Sequence, residues 1–356
     1  MTEVVRTREI VTACGRRFGV ATLNAPASLN ALSLAMVDVL QSRLTQWAAD
    51  PAVVGVVLDG EGERAFCAGG DLRELYQSIR DCGSEPNPYA RQFFSREYRL
   101  DYLIHTFPKP LLCWGNGIVM GGGIGLMAGA SHRVVTERTR MAMPEIAIGL
   151  FLALTGAPLN AADALFAGLA DFYLPGDSRE ALLDAIAQAD WQQDASQDRR
   201  RLSRIIAARA AAPQTPSGAP AESNLRRHFD EIQALMGHDS LDDIAARLDA
   251  EGAGDSWLAA GAANFRKGSP TSAVLAYSLL QRARHLSLRE VFQLEFDVAI
   301  GCCAHHDFVE GIRALLVDKD RKPRWQPPRL PEVGAAFVAD HFNPRYTGEN
   351  PLADLR

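Results

Sequence analysis

The chain has 356 residues, 47% of them hydrophobic and 22% charged, with a formal net charge of −6. That balance describes a folded globular protein with one large core, or a core and a smaller companion domain. It excludes nucleic acid as a general partner, since phosphate binding needs a basic face.

No apolar run reaches the roughly 18 residues that cross a bilayer, so no membrane partner is expected. Met1 to Ile10 mixes Arg6 and Arg8 with Glu3 and Glu9 and has no apolar signal core, which reads as cytoplasmic. The six cysteines show no CxxC pairing and read as reduced, buried thiols. No metal is expected, because the nearest grouping, Cys302-Cys303-Ala304-His305-His306, has the wrong spacing for a structural site.

Residues 4–24 read as two strands around the turn Cys14-Gly15-Arg16-Arg17. Ser33 precedes Leu34, Val37, Leu40, Leu44 and Trp47, an N-cap followed by helical periodicity; the helix stops at Asp50-Pro51. Val53 to Leu58 is the continuous apolar run of a strand buried on both faces. Residues 71–82 and 89–106 predict helices, Pro110 to Trp114 and Val119 strand, and Gly121 to Ala130 a closely packed helix start. Val134 to Thr136 and Met141 to Met143 predict short strands. Strands alternating with helices indicate an α/β fold with parallel pairing. Residues 213–222, rich in proline, read as a linker between a core of 1–212 and a mainly α-helical C-terminal region of 223–356. That region predicts helices over 223–236, 240–251, 255–265, 270–285 and 287–304, and the tail from Pro323 reads as extended chain.

Three segments carry chemistry. Ala65-Phe66-Cys67-Ala68-Gly69-Gly70-Asp71-Leu72 follows the buried strand and opens a helix near Asp71. Paired glycines let a backbone N–H face a site with no Cβ in the way, and a helix N-terminus favours an anion. The plain alternative is a tight turn with a helix cap at Asp71. Gly115-Asn116-Gly117-Ile118-Val119-Met120-Gly121-Gly122-Gly123-Ile124-Gly125 also leads from a strand into a helix. Successive glycines at a helix start cost about 1 kcal/mol each, and close helix–strand packing accounts for only one or two of them. Two such loops meet at the carboxyl edge of a parallel sheet, where each can offer an N–H to a developing oxyanion. Neither matches a phosphate loop. In Met141-Ala142-Met143-Pro144-Glu145-Ile146-Ala147-Ile148-Gly149, Glu145 is a lone carboxylate among apolar residues. Such a group suits acid–base or nucleophilic work, unless a backbone N–H or an arginine satisfies it.

With Ser28-Leu29-Asn30-Ala31-Leu32 ahead of them, these segments resemble the crotonase (enoyl-CoA hydratase/isomerase) superfamily over most of residues 15–175. The resemblance implies a spiral of ββα turns that binds an acyl-CoA substrate, coenzyme A being part of that substrate and no separate cofactor being needed. It implies that the N–H groups of Gly70 and Gly122 form an oxyanion hole and that Glu145 is the catalytic carboxylate. Ser28, Leu29, Asn30, Ala31, Ala68, Asp71, Leu72 and Gly121 would line the CoA path. Hydratases of the family carry a second Glu two residues after the triple glycine; here that position is Gly125, which disfavours addition of water across a double bond. Lys267-Gly268-Ser269-Pro270-Thr271-Ser272, Glu295-Phe296, His306 to Asp320 and Pro323-Arg324-Trp325 resemble the branch that hydrolyses 3-hydroxyisobutyryl-CoA in valine degradation. By that resemblance Glu145 would attack the thioester carbonyl or activate water against it. A hydratase or isomerase working with one carboxylate, or a non-catalytic acyl-CoA binder, are the alternatives.

One segment of that branch is missing. There the MPE motif continues into a Pro-Asp-Val-Gly-Gly-like loop, whose acid the resemblance assigns to orienting the substrate hydroxyl. Here Ile148-Gly149-Leu150-Phe151 runs straight into Leu152-Ala153-Leu154-Thr155-Gly156, and Asp163, in the next helix, does not take the role. A break in the chain is the expectation, visible as a Cα step well above about 3.8 Å within residues 149–152. A direct join would instead be a true deletion that opens one wall of the acyl pocket. Lys267, Arg282, Arg284, Lys319 and Arg321 are candidates for the CoA phosphates. The family habit points to a homo-oligomer, unless the helical C-terminal region occupies the surface used for it.

Overall fold

The computed structural model describes residues 3–83, 86–142, 148–210, 220–237, 240–250 and 256–356. Two compact units interleave along the chain. One holds Met1–Gly70, Leu100–Ala142 and Pro158–Arg227; the other holds Asp71–Arg99, Met143–Ala157 and His228–Arg356. Most of the expected linker, residues 213–219, lies outside the described residues.

The first unit opens with a hairpin of β1 (Val5–Val11) and β2 (Arg17–Leu23), in which Val5 faces Leu23 and Val11 faces Arg17. Gly15, at φ +76°, makes the turn, and Cys14 beside it is exposed rather than buried as its apolar neighbours suggested. α1 (Leu34–Ala49) begins where Ser33 Oγ accepts the Met36 N–H at 3.3 Å, and it buries Met36, Val37, Leu40, Leu44 and Trp47. β3 (Val53–Gly60) pairs in parallel with β2 on one edge and β5 on the other, and both its faces are buried, which explains its unbroken apolar run. β4 (Ala65–Cys67), β5 (Leu111–Gly115), β6 (Ile118–Met120), β7 (His132–Val135), β8 (Arg140–Ala142) and β9 (Phe172–Tyr173) complete two sheets. The larger has the order β1-β2-β3-β5-β7-β9 and is parallel outside the hairpin; the smaller, β4-β6-β8, is wholly parallel.

The remaining helices, in chain order, begin with α2 (Leu72–Cys82), α3 (Pro88–His105), α4 (Gly122–Ala128), α5 (Ile148–Thr155) and α6 (Ala161–Phe166). Then come α7 (Arg179–Gln188), α8 (Ala195–Ala210), α9 (Asn224–Arg227), α10 (Phe229–Met236) and α11 (Leu241–Ala250). α12 (Ser256–Lys267), α13 (Pro270–Ala283), α14 (Leu288–Ala304), α15 (His306–Ile312) and α16 (Ala335–Asp340) follow. α7 and α8 cover the large sheet: Leu182, Leu183, Ile186, Leu202 and Ile206 close on Phe18, Val20, Val57, Leu112 and Val134. Each such side chain contributes about 1.5–3 kcal/mol by leaving water. Trp191 joins them, its ring centroid 4.6 Å from that of Phe18.

In the helical unit, α5 packs against α10, α12 and α13. Phe151 of α5 is fully buried, with its ring centroid 5.5 Å from that of Trp257. Two sequence expectations fail here. No break occurs at residues 149–152: all four share α5, and Gly156 N–H bonds Leu152 O at 2.7 Å, so the chain is joined directly. The tail after Pro323 is not simply extended, because it contains a 3-10 turn (Leu330–Glu332) and α16. The reason is Gly301 on α14, where a Cβ would lie 2.2 Å from His341 O; the bare backbone there lets the end of α16 come down onto α14. No helix among the described residues is long and apolar enough to cross a membrane.

Candidate functional site

Each strand of the small parallel sheet ends where a motif begins. β4 stops at Cys67 before Ala68-Gly69-Gly70-Asp71, β6 at Met120 before Gly121-Gly122-Gly123, and β8 at Ala142 before Met143-Pro144-Glu145. Carboxyl ends of parallel strands are where α/β folds present their chemistry. Glu145 itself lies outside the described residues.

Two glycines in left-handed conformations bring the first two loops together. Gly69 has φ +103° and Gly121 has φ +49°. A Cβ on Gly69 would meet Met120 O at 3.4 Å, and one on Gly121 would meet Gly69 Cα at 3.3 Å. The next residues, Gly70 and Gly122, are half-buried, and neither N–H finds an acceptor among the described residues. For Gly122 the reason is its place as the first residue of α4, whose opening N–H groups have no intrahelical partner. Gly123 seats that helix against β4, since a Cβ there would lie 2.3 Å from Cys67 O. Two backbone donors therefore stand one residue beyond the point where the loops touch.

A third loop is tied to the first. Leu32 N–H bonds Gly69 O at 2.7 Å and Ala68 N–H bonds Leu29 O at 3.1 Å. Asn30 is fully buried; its Oδ1 accepts Ala25 N–H at 2.9 Å while Nδ2 donates to Ala65 O at 2.9 Å and Glu61 O at 3.1 Å. Its side chain thus props the loop. Ser28 is exposed, and Leu29 and Ala31 are half-buried. Asp71 caps α2 by accepting Arg73 N–H at 3.2 Å, and Leu72 is the first residue of that helix.

Gly125 lies one turn into α4. A Cβ there would sit 2.5 Å from Asp101 Oδ2 and 3.0 Å from Oδ1, so a side chain at this position would have to displace the Asp101 carboxylate. Asp101 is only 4% exposed and Glu97, one turn earlier on α3, only 5%. Both escaped the sequence reading, because Ser95-Arg96-Glu97-Tyr98-Arg99 looks like a solvated helix face. The available signal was the period, for Phe93, Glu97, Leu100 and Ile104 fall on one buried stripe. Burial pushes the Glu97 carboxyl up to about 7, a value suited to proton transfer near neutrality. Asp163 is a cap: it completes a capping box with Asn160, and its Oδ1 accepts from Ser223 Oγ at 2.8 Å and Leu225 N–H at 2.9 Å. No group of three metal-ligating side chains occurs among the described residues.

Fold and loops together define an α/β protein that offers paired backbone donors at the carboxyl ends of parallel strands. The sequence profile of the enoyl-CoA hydratase/isomerase family matches residues 18–152 and 147–342, and the chain belongs to that family. The two matched stretches overlap at 147–152. A chicken (Gallus gallus) protein named 3-hydroxyisobutyryl-CoA hydrolase, mitochondrial, is 36% identical over 354 residues, covering 94% of this chain and 88% of its own. The zebrafish (Danio rerio) protein of the same name is 34% identical, covering 91% and 87%. A solved structure titled carnitinyl-CoA dehydratase, from Mycobacterium thermoresistibile, superposes with a TM-score of 0.83 at 33% identity, covering 99% of this chain and 100% of its own. The mitochondrial names overturn the cytoplasmic placement drawn from Met1 to Ile10. Ten residues at one end of a sequence are no guide to compartment.

Proposed function

We propose that this chain hydrolyses the thioester of 3-hydroxyisobutyryl-CoA, releasing 3-hydroxyisobutyrate and coenzyme A in valine degradation. The observation that carries the reading is Gly125 against Asp101. Concerted hydration draws on two carboxylates to deliver the two parts of water, and position 125, a glycine beside the Asp101 carboxylate, supplies none. Hydrolysis needs one nucleophile or base and a stabilised oxyanion. The hydrolase names of the chicken and zebrafish relatives support the same choice over the dehydratase title.

In this reading the acyl carbonyl oxygen accepts from Gly70 and Gly122 N–H. Ser28, Leu29, Ala31, Ala68, Asp71, Leu72 and Gly121 border the CoA path, with Asn30 holding the first of these loops in place. The Glu145 carboxylate attacks the carbonyl carbon, or takes a proton from the water that does. Negative charge moves onto the oxygen, where each donor lowers the barrier by about 3–4 kcal/mol. The C–S bond then breaks and coenzyme A leaves as its thiolate. After direct attack, water cleaves the resulting anhydride and restores the carboxylate. The test is thiol release from 3-hydroxyisobutyryl-CoA by wild type and Glu145→Gln. Loss of release in the variant is expected. An unchanged rate, or consumption of an enoyl-CoA with no free thiol, would sink the proposal.

A further inference from the structure

None of the thioester motifs lines a cavity of about 830 Å3 in the helical unit. Its walls come from three stretches of that unit: the start of α3, the end of α14, and the tail from Pro344 to Pro351. Ile300, Cys303 and Ala304 supply an apolar wall, extended by prolines from the other two stretches. Among the described residues, the charged side chains lining it are Arg91 and Arg345.

Both arginines have unused capacity. Arg91 is exposed, its guanidinium lies 5.7 Å from the Tyr346 ring centroid, and no carboxylate pairs with it among the described residues. Arg345 gives Nη2 to Asp340, yet its Nε–H is buried with no acceptor among the described residues. That Nε is closed to the cavity, so the donor left for a ligand is Nη1, which has no acceptor among the described residues. Asp297, on α14, is occupied: its Oδ1 accepts from Tyr346 Oη at 2.7 Å and Asn350 Nδ2 at 3.3 Å. α3 also starts at this cavity, with its positive N-terminal end at Pro88.

We propose that this cavity binds a small amphipathic carboxylate of the fatty-acid class, its head between Arg91 and Arg345 and its tail along Ile300, Cys303 and Ala304. The volume falls within the roughly 300–1,000 Å3 of small-molecule sites. A planar carboxylate suits the fork of a guanidinium, and the prolines and aliphatic wall suit a hydrocarbon chain. This site is independent of the thioester reading.

The experiment is isothermal titration of the full chain with decanoate, repeated with decanol, with Arg91→Met, and in saturating coenzyme A. The expected result is one decanoate site, weakened at least tenfold by Arg91→Met and for decanol, and indifferent to coenzyme A. Arg91 is exposed, so its replacement leaves the fold and thiol release at wild-type levels. The proposal is overturned by no decanoate binding, by equal affinity in Arg91→Met, by decanol binding as well as decanoate, or by displacement with coenzyme A.

Discussion

Replacing Glu97 by Gln should change how stability depends on pH. Burial holds this carboxyl at about 7 against an ordinary 4.5. Below pH 4.5 it is protonated in folded and unfolded chains alike and contributes no difference. As pH rises from there, the unfolded chain releases the proton while the folded one keeps it, so stability falls until the folded carboxyl also ionises near 7. At about 1.4 kcal/mol for each tenfold difference in proton affinity, the loss across that window is about 3 kcal/mol. Urea unfolding at steps between pH 4 and 8, followed by tryptophan fluorescence, measures it. Because every other carboxylate is common to both proteins, the difference between wild type and Glu97→Gln reports this group together with the neighbour whose titration it shares. The wild type should lose about 3 kcal/mol relative to the variant on going from pH 4.5 to 7, with no further divergence above. Parallel curves across the window would refute the assignment of a buried, proton-retaining Glu97.

Gly125→Ala should destabilise by about 1–3 kcal/mol through overpacking, and Asp101→Ala in the same chain should restore part of the loss in a thermal melt, because the clash is between those two groups. Asp163→Ala should cost about 2–3 kcal/mol by removing the acceptor of Asn160 N–H in the capping box and orphaning Ser223 Oγ and Leu225 N–H, read by denaturant midpoint. With the hydrolase-branch loop absent, kcat/KM for 3-hydroxyisobutyryl-CoA should exceed that for isobutyryl-CoA by less than about 100-fold. A pocket built to bond a substrate hydroxyl reaches 10⁴ or more, so a ratio of that size would show that another group has taken over the contact.

Much of this was readable in advance where local rules and tertiary packing agree. Ser33 stands before a helical stripe and the helix starts there; Val53 to Leu58 is apolar throughout because both faces of β3 are buried. The glycine clusters announced loops that approach closely, and they do. What stayed hidden depended on burial that only the fold decides. Glu97 and Asp101 carry charges that propensity assigns to water, and their place beneath α4 or within the core is set by residues far away in sequence. The tail misled for a related reason: its prolines suggested extended chain, whereas the notch that receives α16 is a glycine on another helix, Gly301. His228 likewise splits one expected helix into α9 and α10; it stacks on Trp257 at 5.9 Å, a partner no local pattern reveals.

The interleaving of the two units sets a timetable for synthesis. All parts of the sheet-bearing unit have been made once Arg227 is joined, but α5 is already present by then and its partners are not. Phe151 must wait for Trp257, and at roughly 5–20 residues per second the delay is about 5–20 s. Through that interval an apolar helix, Ile148–Thr155, is uncovered on a chain still attached to the ribosome. Chaperone demand, and the hazard of a neighbouring chain supplying the missing helices, are therefore concentrated between the synthesis of Phe151 and that of Trp257.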